Sequence, residues 1–239
     1  MDADHLDFFK DIDDIRHSFR EFALLLPEDG TLIINADTPE YKMITEGLNC
    51  EVLTYGLDHD ADYMASDISF NAYGHPTFTC SFRGELVDTF SLHVPGIHNV
   101  SNALATIALA QKLGLDAAAI QKGFATFTGT DRRFQYKGTV SGVTVIDDYA
   151  HHPTEITATL NAAENYPHKT TWCVFQPHTY TRTKALLGDF AQALTLADKV
   201  VLADIYAARE KNTIGISSRD LQTEIEKLGT ECHLSLIHI

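Results

Sequence analysis

The segment at residues 147–155 carries the densest group of ionisable side chains in the sequence. It reads Asp-Asp-Tyr-Ala-His-His-Pro-Thr-Glu and follows the β-branched run at residues 143–146. Its carboxylates could accept hydrogen bonds from sugar hydroxyls, and its imidazoles could bind a metal or a substrate carboxylate. The β-branched run predicts a buried strand, and Pro153 with Glu155 predicts a helix start. Because open α/β sheets bind ligands where strands end and helices begin, a binding site is favoured over a capped helix with exposed histidines.

A second segment of similar composition lies between the C-terminal end of a predicted strand and the start of the next helix; such a segment is called a strand exit below. Residues 176–183 read Gln-Pro-His-Thr-Tyr-Thr-Arg-Thr. A helix N-terminus attracts anions, and the forked guanidinium of Arg182 suits a carboxylate. The alternative is threonine capping beside a solvated arginine. Two such exits in one small region favour a binding site.

A third cluster lies at a predicted helix start and contains His98, Asn99 and Asn102. The two asparagines are three residues apart and therefore share one helix face. Each amide offers both a donor and an acceptor, which matches the hydrogen-bonding edge of adenine. Helix capping is the commoner use of Asn and Ser at such positions, and it stays open as the alternative.

Two further groups give weaker signals. Arg132 and Arg133 could hold phosphate or ribose oxygens with forked hydrogen bonds, or could pair with Asp131 at the surface. His5 lies between two aspartates and could help to hold Mg²⁺, which usually prefers oxygen ligands. A solvated acidic terminus is the alternative for His5.

The elements that must position these side chains alternate between helices and strands. Residues 1–130 show a βαβ rhythm and then a hairpin pattern turning at Arg83 and Gly84, which together predict a mixed sheet. A small polar stretch at residues 125–131 marks a domain boundary. Residues 131–239 show a second α/β pattern, with one helix expected over residues 182–196. The sequence thus predicts an α/β protein of two domains.

Composition narrows the class of protein. The net charge of −15 argues against a nucleic-acid surface, because phosphates are neutralised by clustered Lys and Arg. No apolar run is long enough to cross a membrane, and the start does not resemble a signal peptide. The four cysteines lack metal-site spacing, so buried reduced thiols and a cytoplasmic location are expected. The 239 residues contain no G-x-x-x-x-G-K-[ST] phosphate loop.

Taken together and in this order, the motifs resemble those of the Mur ligases, the ATP-dependent amide-forming enzymes of peptidoglycan synthesis. The matching segments are residues 4–7, 96–102, 132–134, 147–155, 176–183 and 204–210. The resemblance implies that residues 1–130 form the later part of the central ATPase domain. It implies that residues 131–239 form most of a Rossmann-like C-terminal domain. Roughly half of an enzyme is then expected, inactive by itself because the phosphate loop is missing.

The resemblance is strongest to the alanine-adding branch, which implies UDP-N-acetylmuramate and L-alanine as substrates. ATP and Mg²⁺ are the implied cofactors, and the reaction would pass through an acyl phosphate. The alternatives are a related murein tripeptide ligase, a non-catalytic nucleotide-binding module and a metal-dependent hydrolase built on His151, His152 and His178. The implied roles are Mg²⁺ binding by His5, adenine binding by His98, Asn99 and Asn102, ribose contacts by Arg133 and Asp148, and contacts near the incoming alanine by Tyr149, His151 and Arg182.

Two positions depart from the family pattern. Ala150 stands where Gly is usual, which is expected to alter the turn slightly. Thr179 stands where many members have Arg, so carboxylate binding would depend more on Arg182 and His151.

Overall fold

The computed structural model describes residues 8–235, and the chain divides into two compact units. The first comprises Met1–Ser69, Pro76–His93 and Ile97–Phe127, and the second comprises Phe70–His75, Val94–Gly96 and Thr128–Ile239. Among the described residues, no helix combines the length and the apolar character needed to cross a bilayer.

The first unit is built on a five-stranded sheet in the order β1-β2-β3-β4-β5. Strands β1, β2 and β3 are parallel neighbours, whereas β4 and β5 form an antiparallel hairpin. The hairpin turns at Arg83 and Gly84, both with positive φ, as a tight two-residue turn requires. This confirms the predicted mixed sheet. The elements are α1 Ile12–Ala23, β1 Thr31–Asn35, α2 Tyr41–Thr45, β2 Glu51–Gly56, β3 Tyr63–Phe70, β4 Pro76–Phe82, β5 Glu85–Ser91, α3 Ile97–Lys112 and α4 Ala117–Thr126.

The core of the first unit forms where α3 packs on the sheet. Val100, Leu104 and Ile107 follow helical spacing and are fully buried, as are Phe78 and Phe90 on the hairpin. Because this apolar face fixes the rotation of α3, it also fixes the direction in which the polar residues of the first turns point.

The second unit contains an antiparallel hairpin, β6-β7, and a parallel sheet in the order β10-β9-β8. Helices α5, α7 and α8 supply the core against this sheet, with Phe190, Leu194, Leu202, Leu221 and Ile225 buried. The elements are β6 Gln135–Val140, β7 Val143–Asp147, α5 Pro153–Glu164, β8 Trp172–Phe175, α6 Tyr180–Ala185, α7 Leu187–Leu194, β9 Lys199–Leu202, α8 Ser218–Lys227 and β10 Glu231–Leu234.

The structure differs from the sequence-based expectations at several points. Residues 143–146 do form a strand, β7, but Val143 and Val145 are exposed, so the expected burial of this strand is wrong. The single helix expected over residues 182–196 is wrong, because the backbone leaves the helical region at Leu186 and separates α6 from α7. Strand β10 was not predicted, and it pairs in parallel with β9. All four cysteines are free, but only Cys80 and Cys232 are buried, so the expected burial is wrong for Cys50 and Cys173.

Candidate functional site

The predicted site residues fall into two groups, one in each unit. His98, Asn99 and Asn102 belong to the first unit, and the residues from Arg133 to Arg182 belong to the second. His5, the predicted Mg²⁺ ligand, lies outside the described residues.

The asparagines of the first unit lie inside α3. The helix begins at Ile97, so Asn99 and Asn102 occupy its first turns and capping does not account for them. Asn102 Nδ2 donates to Asn99 Oδ1 at 3.2 Å, and Asn99 Nδ2 lies 3.2 Å from His98 Nε2. Asn102 is exposed, and its Oδ1 accepts no hydrogen bond from any residue in the range 8–235. The predicted trio is therefore brought together, with an amide acceptor facing solvent.

Asn35, at the end of β1, is a neighbour of this trio that the motif analysis did not assign to a site. Its Nδ2 donates to the Ser101 hydroxyl at 3.4 Å, which connects the carboxyl end of β1 to the first turns of α3. Ligands of parallel sheets bind at such ends. The signal in the sequence that could have identified Asn35 was a polar residue at the end of a β-branched run.

Asp37 organises the loop that follows β2. Its carboxylate accepts the backbone N–H groups of Leu57, Asp58 and His59 at 2.7, 3.2 and 2.9 Å, and His59 Nδ1 lies 3.0 Å away. Burial by itself raises the pKa of Asp37, but these hydrogen bonds outweigh it and hold the pKa below its ordinary value. Asp37 is therefore a fixed negative charge near the carboxyl ends of β1 and β2.

In the second unit, Asp148 joins the two predicted ribose-binding segments. Its Oδ2 accepts the Phe134 N–H at 2.7 Å, and its Oδ1 accepts the Ala150 N–H at 2.8 Å. Each carboxylate oxygen has a second lone pair, so Asp148 can still accept hydrogen bonds from a ligand. Ala150 itself has no positive φ, so the replacement of the usual Gly causes no backbone strain.

The paired arginines do not pair with Asp131 in the described structure. Arg132 Nε lies 3.7 Å from Asp147 and its guanidinium lies over the Tyr149 ring at 4.6 Å. Arg133 lies 3.7 Å from Glu155. Both ion pairs are long, and both arginine side chains are more than half exposed. Such ion pairs hold the arginines weakly and leave them available to an anion.

Helix α5 starts as the sequence predicts. Pro153 is its first residue, and His152 and Glu155 form a capping box in which each side chain bonds to the other's backbone. Glu155 Oε2 also accepts the His151 N–H at 2.9 Å. One carboxylate thus fixes both histidines and also contacts Arg133.

The contacts of His151 favour one tautomer. Its Nδ1 lies 2.9 Å from the Tyr149 carbonyl, which can only accept, and this favours the ring proton on Nδ1. In the neutral ring, Nε2 is then an acceptor. The His151 ring lies 5.4 Å from the Tyr149 ring and 6.2 Å from the His178 ring, measured between centroids. The structure therefore brings the two strand exits of the second unit together.

The surroundings of His178 favour its neutral form. Burial, together with Arg182 and His151, lowers its pKa, and Glu210 acts in the opposite direction. Its Nδ1 is buried and has no hydrogen-bond partner among the described residues. His178 belongs to the motif at residues 176–183, but no role in a ligase was predicted for it.

Thr179, which follows His178, has φ 62° and ψ 146°. Such angles are rare outside glycine and cost on the order of 1–3 kcal/mol, so other contacts must hold this turn. The side chain of Thr179 makes no capping bond to α6. The threonine-capping alternative is thus not what the structure shows.

No group of three or more His, Cys, Asp or Glu side chains within residues 8–235 is arranged to hold a metal ion. The rings of His151 and His178 are neighbours, but His152, the third ligand of the hydrolase alternative, does not complete a metal-binding group with them among the described residues. The described part of the chain thus gives that alternative no support.

Comparison with known proteins matches residues 1–110 to the Mur ligase middle domain and residues 132–238 to the Mur ligase glutamate ligase domain. The UDP-N-acetylmuramate–L-alanine ligase of Lachnospira eligens is 58% identical over 96% of this chain. The chain spans about half the length of the relatives it matches, 50% in this case.

Solved structures give the same result. The UDP-N-acetylmuramate–alanine ligase MurC of Thermotoga maritima is 27% identical with a TM-score of 0.74, over 99% of this chain and 51% of that one. The murein peptide ligase of Psychrobacter arcticus is 26% identical with a TM-score of 0.63, over 95% and 47%. On this similarity of sequence and fold, the chain belongs to the Mur ligase family.

Proposed function

We propose that the chain supplies the later part of the ATP-binding domain, residues 1–130, and most of the C-terminal domain, residues 131–239, of an alanine-adding Mur ligase. The reaction joins L-alanine to UDP-N-acetylmuramate at the expense of ATP. The observation that carries the proposal is the convergence of Tyr149, His151 and His178 beside Arg182 at two strand exits.

The cluster in the second unit suits an amino acid as ligand. Arg182 is the group that would bind the alanine carboxylate through charge-assisted hydrogen bonds. The amine of alanine must lose a proton before it can attack. His151 Nε2 would accept that proton, since the contact with the Tyr149 carbonyl favours the ring proton on Nδ1. The lowered pKa of His178 disfavours a positive charge on its ring, which would repel the ammonium group.

The residues proposed to bind the nucleotide offer hydrogen-bonding groups that suit adenine, ribose and phosphate. In the first unit, the exposed Asn102 amide offers a donor and an acceptor to the adenine edge, supported by Asn99 and His98. In the second unit, Asp148 would accept ribose hydroxyls and Arg133 would contact ribose or phosphate. ATP supplies the phosphoryl group that converts a poor electrophile, a carboxylate, into an acyl phosphate. Mg²⁺ binding by His5 is part of the proposal.

The free cysteines support a cytoplasmic location for the reaction. All four thiols are free, as expected in a reducing environment. We therefore place the reaction in the cytoplasm. No nucleic acid partner is proposed, because the net charge of −15 opposes phosphate binding over a broad surface.

The proposal predicts that the isolated chain forms no amide, because its sequence contains no phosphate loop. Purified chain would be incubated with ATP, L-alanine and UDP-N-acetylmuramate, and product would be followed by mass spectrometry. Amide formation above the level of a boiled control would contradict this part of the proposal.

A nucleotide-binding module without catalysis is the second candidate, favoured by the same asparagines. Calorimetry with ADP would compare the chain with Asn102→Ala and with Asn161→Ala, an exposed asparagine on α5. Loss of one amide is expected to weaken ADP binding about tenfold in the first variant only. Equal affinity in all three proteins would remove Asn102 from the adenine site.

A further inference from the structure

The turn at residues 176–183 is held by residues 204–210, a segment with no role assigned so far. The two segments form an isolated parallel bridge between His178 and Tyr206. Three hydrogen bonds reinforce this bridge: Gln176 Nε2 to the Asp204 carbonyl at 3.2 Å, Tyr206 N–H to the Pro177 carbonyl at 2.8 Å, and Thr179 N–H to the Tyr206 carbonyl at 2.9 Å. Residues 204–210 thus act as a clamp, and we use that name for them below.

The clamp ends in Glu210, whose carboxylate lies at the start of α6. Glu210 Oε2 accepts the Thr181 N–H at 3.0 Å, and Oε1 accepts the Thr181 hydroxyl. Burial by itself raises the pKa of Glu210, but the bonds from Thr181 and from the Tyr180 backbone hold the pKa below its ordinary value. A carboxylate 29 residues away therefore caps this helix in place of its own N-cap side chain.

Thr179, the strained residue, is also held through its carbonyl group. The Thr179 carbonyl accepts the Thr183 N–H at 3.2 Å and the Thr183 hydroxyl at 2.6 Å, and Thr183 is fully buried. Thr179 lies between these bonds and the bond to Tyr206. Its positive φ is therefore imposed by tertiary contacts, and these contacts also set the directions of His178 before it and Arg182 after it.

We propose that Glu210 is a positioning residue of the amino-acid site. By capping α6 through Thr181 it holds Arg182 and His178 in the arrangement that receives the alanine carboxylate. This inference rests on the proposed function, because it assumes that Arg182 and His178 face the amino acid. Glu210 itself touches neither substrate nor the reacting atoms.

The first test uses the whole chain and needs no ligand. Glu210→Gln keeps an acceptor but loses the charge, and Glu210→Ala removes both. Asp220→Asn is the matched control, because the Asp220 carboxylate also accepts the N–H and the hydroxyl of a single residue, Ser217, at the start of its own helix, α8. Amide hydrogen exchange at Thr181 and Thr183 and the titration midpoint of the His178 ring would be measured by NMR.

We expect exchange at Thr181 to be about tenfold faster in the Glu210 variants, since a charge-assisted hydrogen bond is lost. The midpoint of His178 is expected to fall, because Glu210 stabilises its protonated form. Asp220→Asn should leave both quantities unchanged even though it destabilises α8. Wild-type exchange and an unchanged His178 midpoint in Glu210→Gln would overturn the inference.

The second test adds L-alanine to the same proteins. Wild type and Asp220→Asn are expected to show the same alanine-dependent shifts of resonances at residues 178–183, with about tenfold more alanine needed for Glu210→Gln. If alanine shifts nothing in wild type, the proposed substrate is wrong, while the exchange and titration data still decide whether Glu210 orders the turn. Equal alanine affinity in all three proteins would overturn the positioning role.

Discussion

Glu155 accepts the backbone N–H of His151 at 2.9 Å, so a carboxylate in the first turn of α5 fixes a histidine that precedes the helix. The same carboxylate closes the capping box with His152 and lies 3.7 Å from Arg133. One side chain therefore connects the start of a helix, a proposed amino-acid contact and a proposed ribose contact.

This connection predicts separate effects for two substitutions. Glu155→Ala should lower the free energy of unfolding by about 1 kcal/mol, because the capping box is lost. Glu155→Gln should lose less, since its amide oxygen can still accept the backbone N–H groups. Urea unfolding measures both. Glu164→Ala, at the exposed far end of α5, is the control and should change stability by less than about 0.5 kcal/mol. Equal losses in all three variants would refute this role of the capping box.

Asp37 predicts how stability depends on pH. The folded-state pKa of this carboxyl lies below its ordinary value of 3.8, so the unfolded chain binds the proton more tightly. Its contribution is therefore complete above pH 3.8 and is lost as the pH falls through the lower folded-state value. Asp37→Asn should lower the free energy of unfolding at pH 7 by about 1–3 kcal/mol. The variant should also show a flatter loss of stability in acid.

Urea unfolding at several pH values between 7 and 3 would test this expectation. Asp58→Asn, an exposed neighbour in the same loop, removes a charge without removing these hydrogen bonds and serves as control. A stability curve for Asp37→Asn that runs parallel to wild type down to pH 3 would show that the carboxylate is not responsible.

The strain at Thr179 predicts an uncommon response to glycine. Thr179→Gly should leave the free energy of unfolding unchanged or raise it by up to about 1 kcal/mol, because glycine adopts positive φ without strain and this gain offsets its larger unfolded-state entropy. Thr223→Gly in α8 should instead lower it by about 0.5 kcal/mol, because glycine is a poorer helix former than threonine. Thermal unfolding of the two variants decides the point, and a loss in Thr179→Gly as large as in Thr223→Gly would mean that the turn is unstrained.

Local sequence signals predicted those parts of the fold that local chemistry determines. Pro153 and Glu155 correctly marked the start of α5, and Arg83 with Gly84 correctly marked a hairpin turn. The break at Leu186 could not be predicted, because nothing in the apolar spacing of residues 182–196 marks it.

Long-range contacts are the part of the candidate site that could not be predicted from the sequence. The sequence singled out Arg182 and His151, but the cap from Glu210 to Thr181 spans 29 residues and follows no local pattern. Asp37 likewise collects N–H groups from a loop 20 or more residues away. Such partners are defined by how strands and loops meet, so the contact between Glu210 and Thr181 could not be read from either segment alone.

The most direct measurement of the central claim uses a chimera. This chain would replace the matching half of the Lachnospira eligens ligase, to which it is 58% identical, and ADP release would be followed with UDP-N-acetylmuramate and L-alanine. We predict turnover that requires both substrates, with the KM for alanine rising on the order of 10–100-fold in Arg182→Ala. A folded chimera that binds ADP but forms no amide with L-alanine, or that prefers a murein tripeptide, would contradict the account.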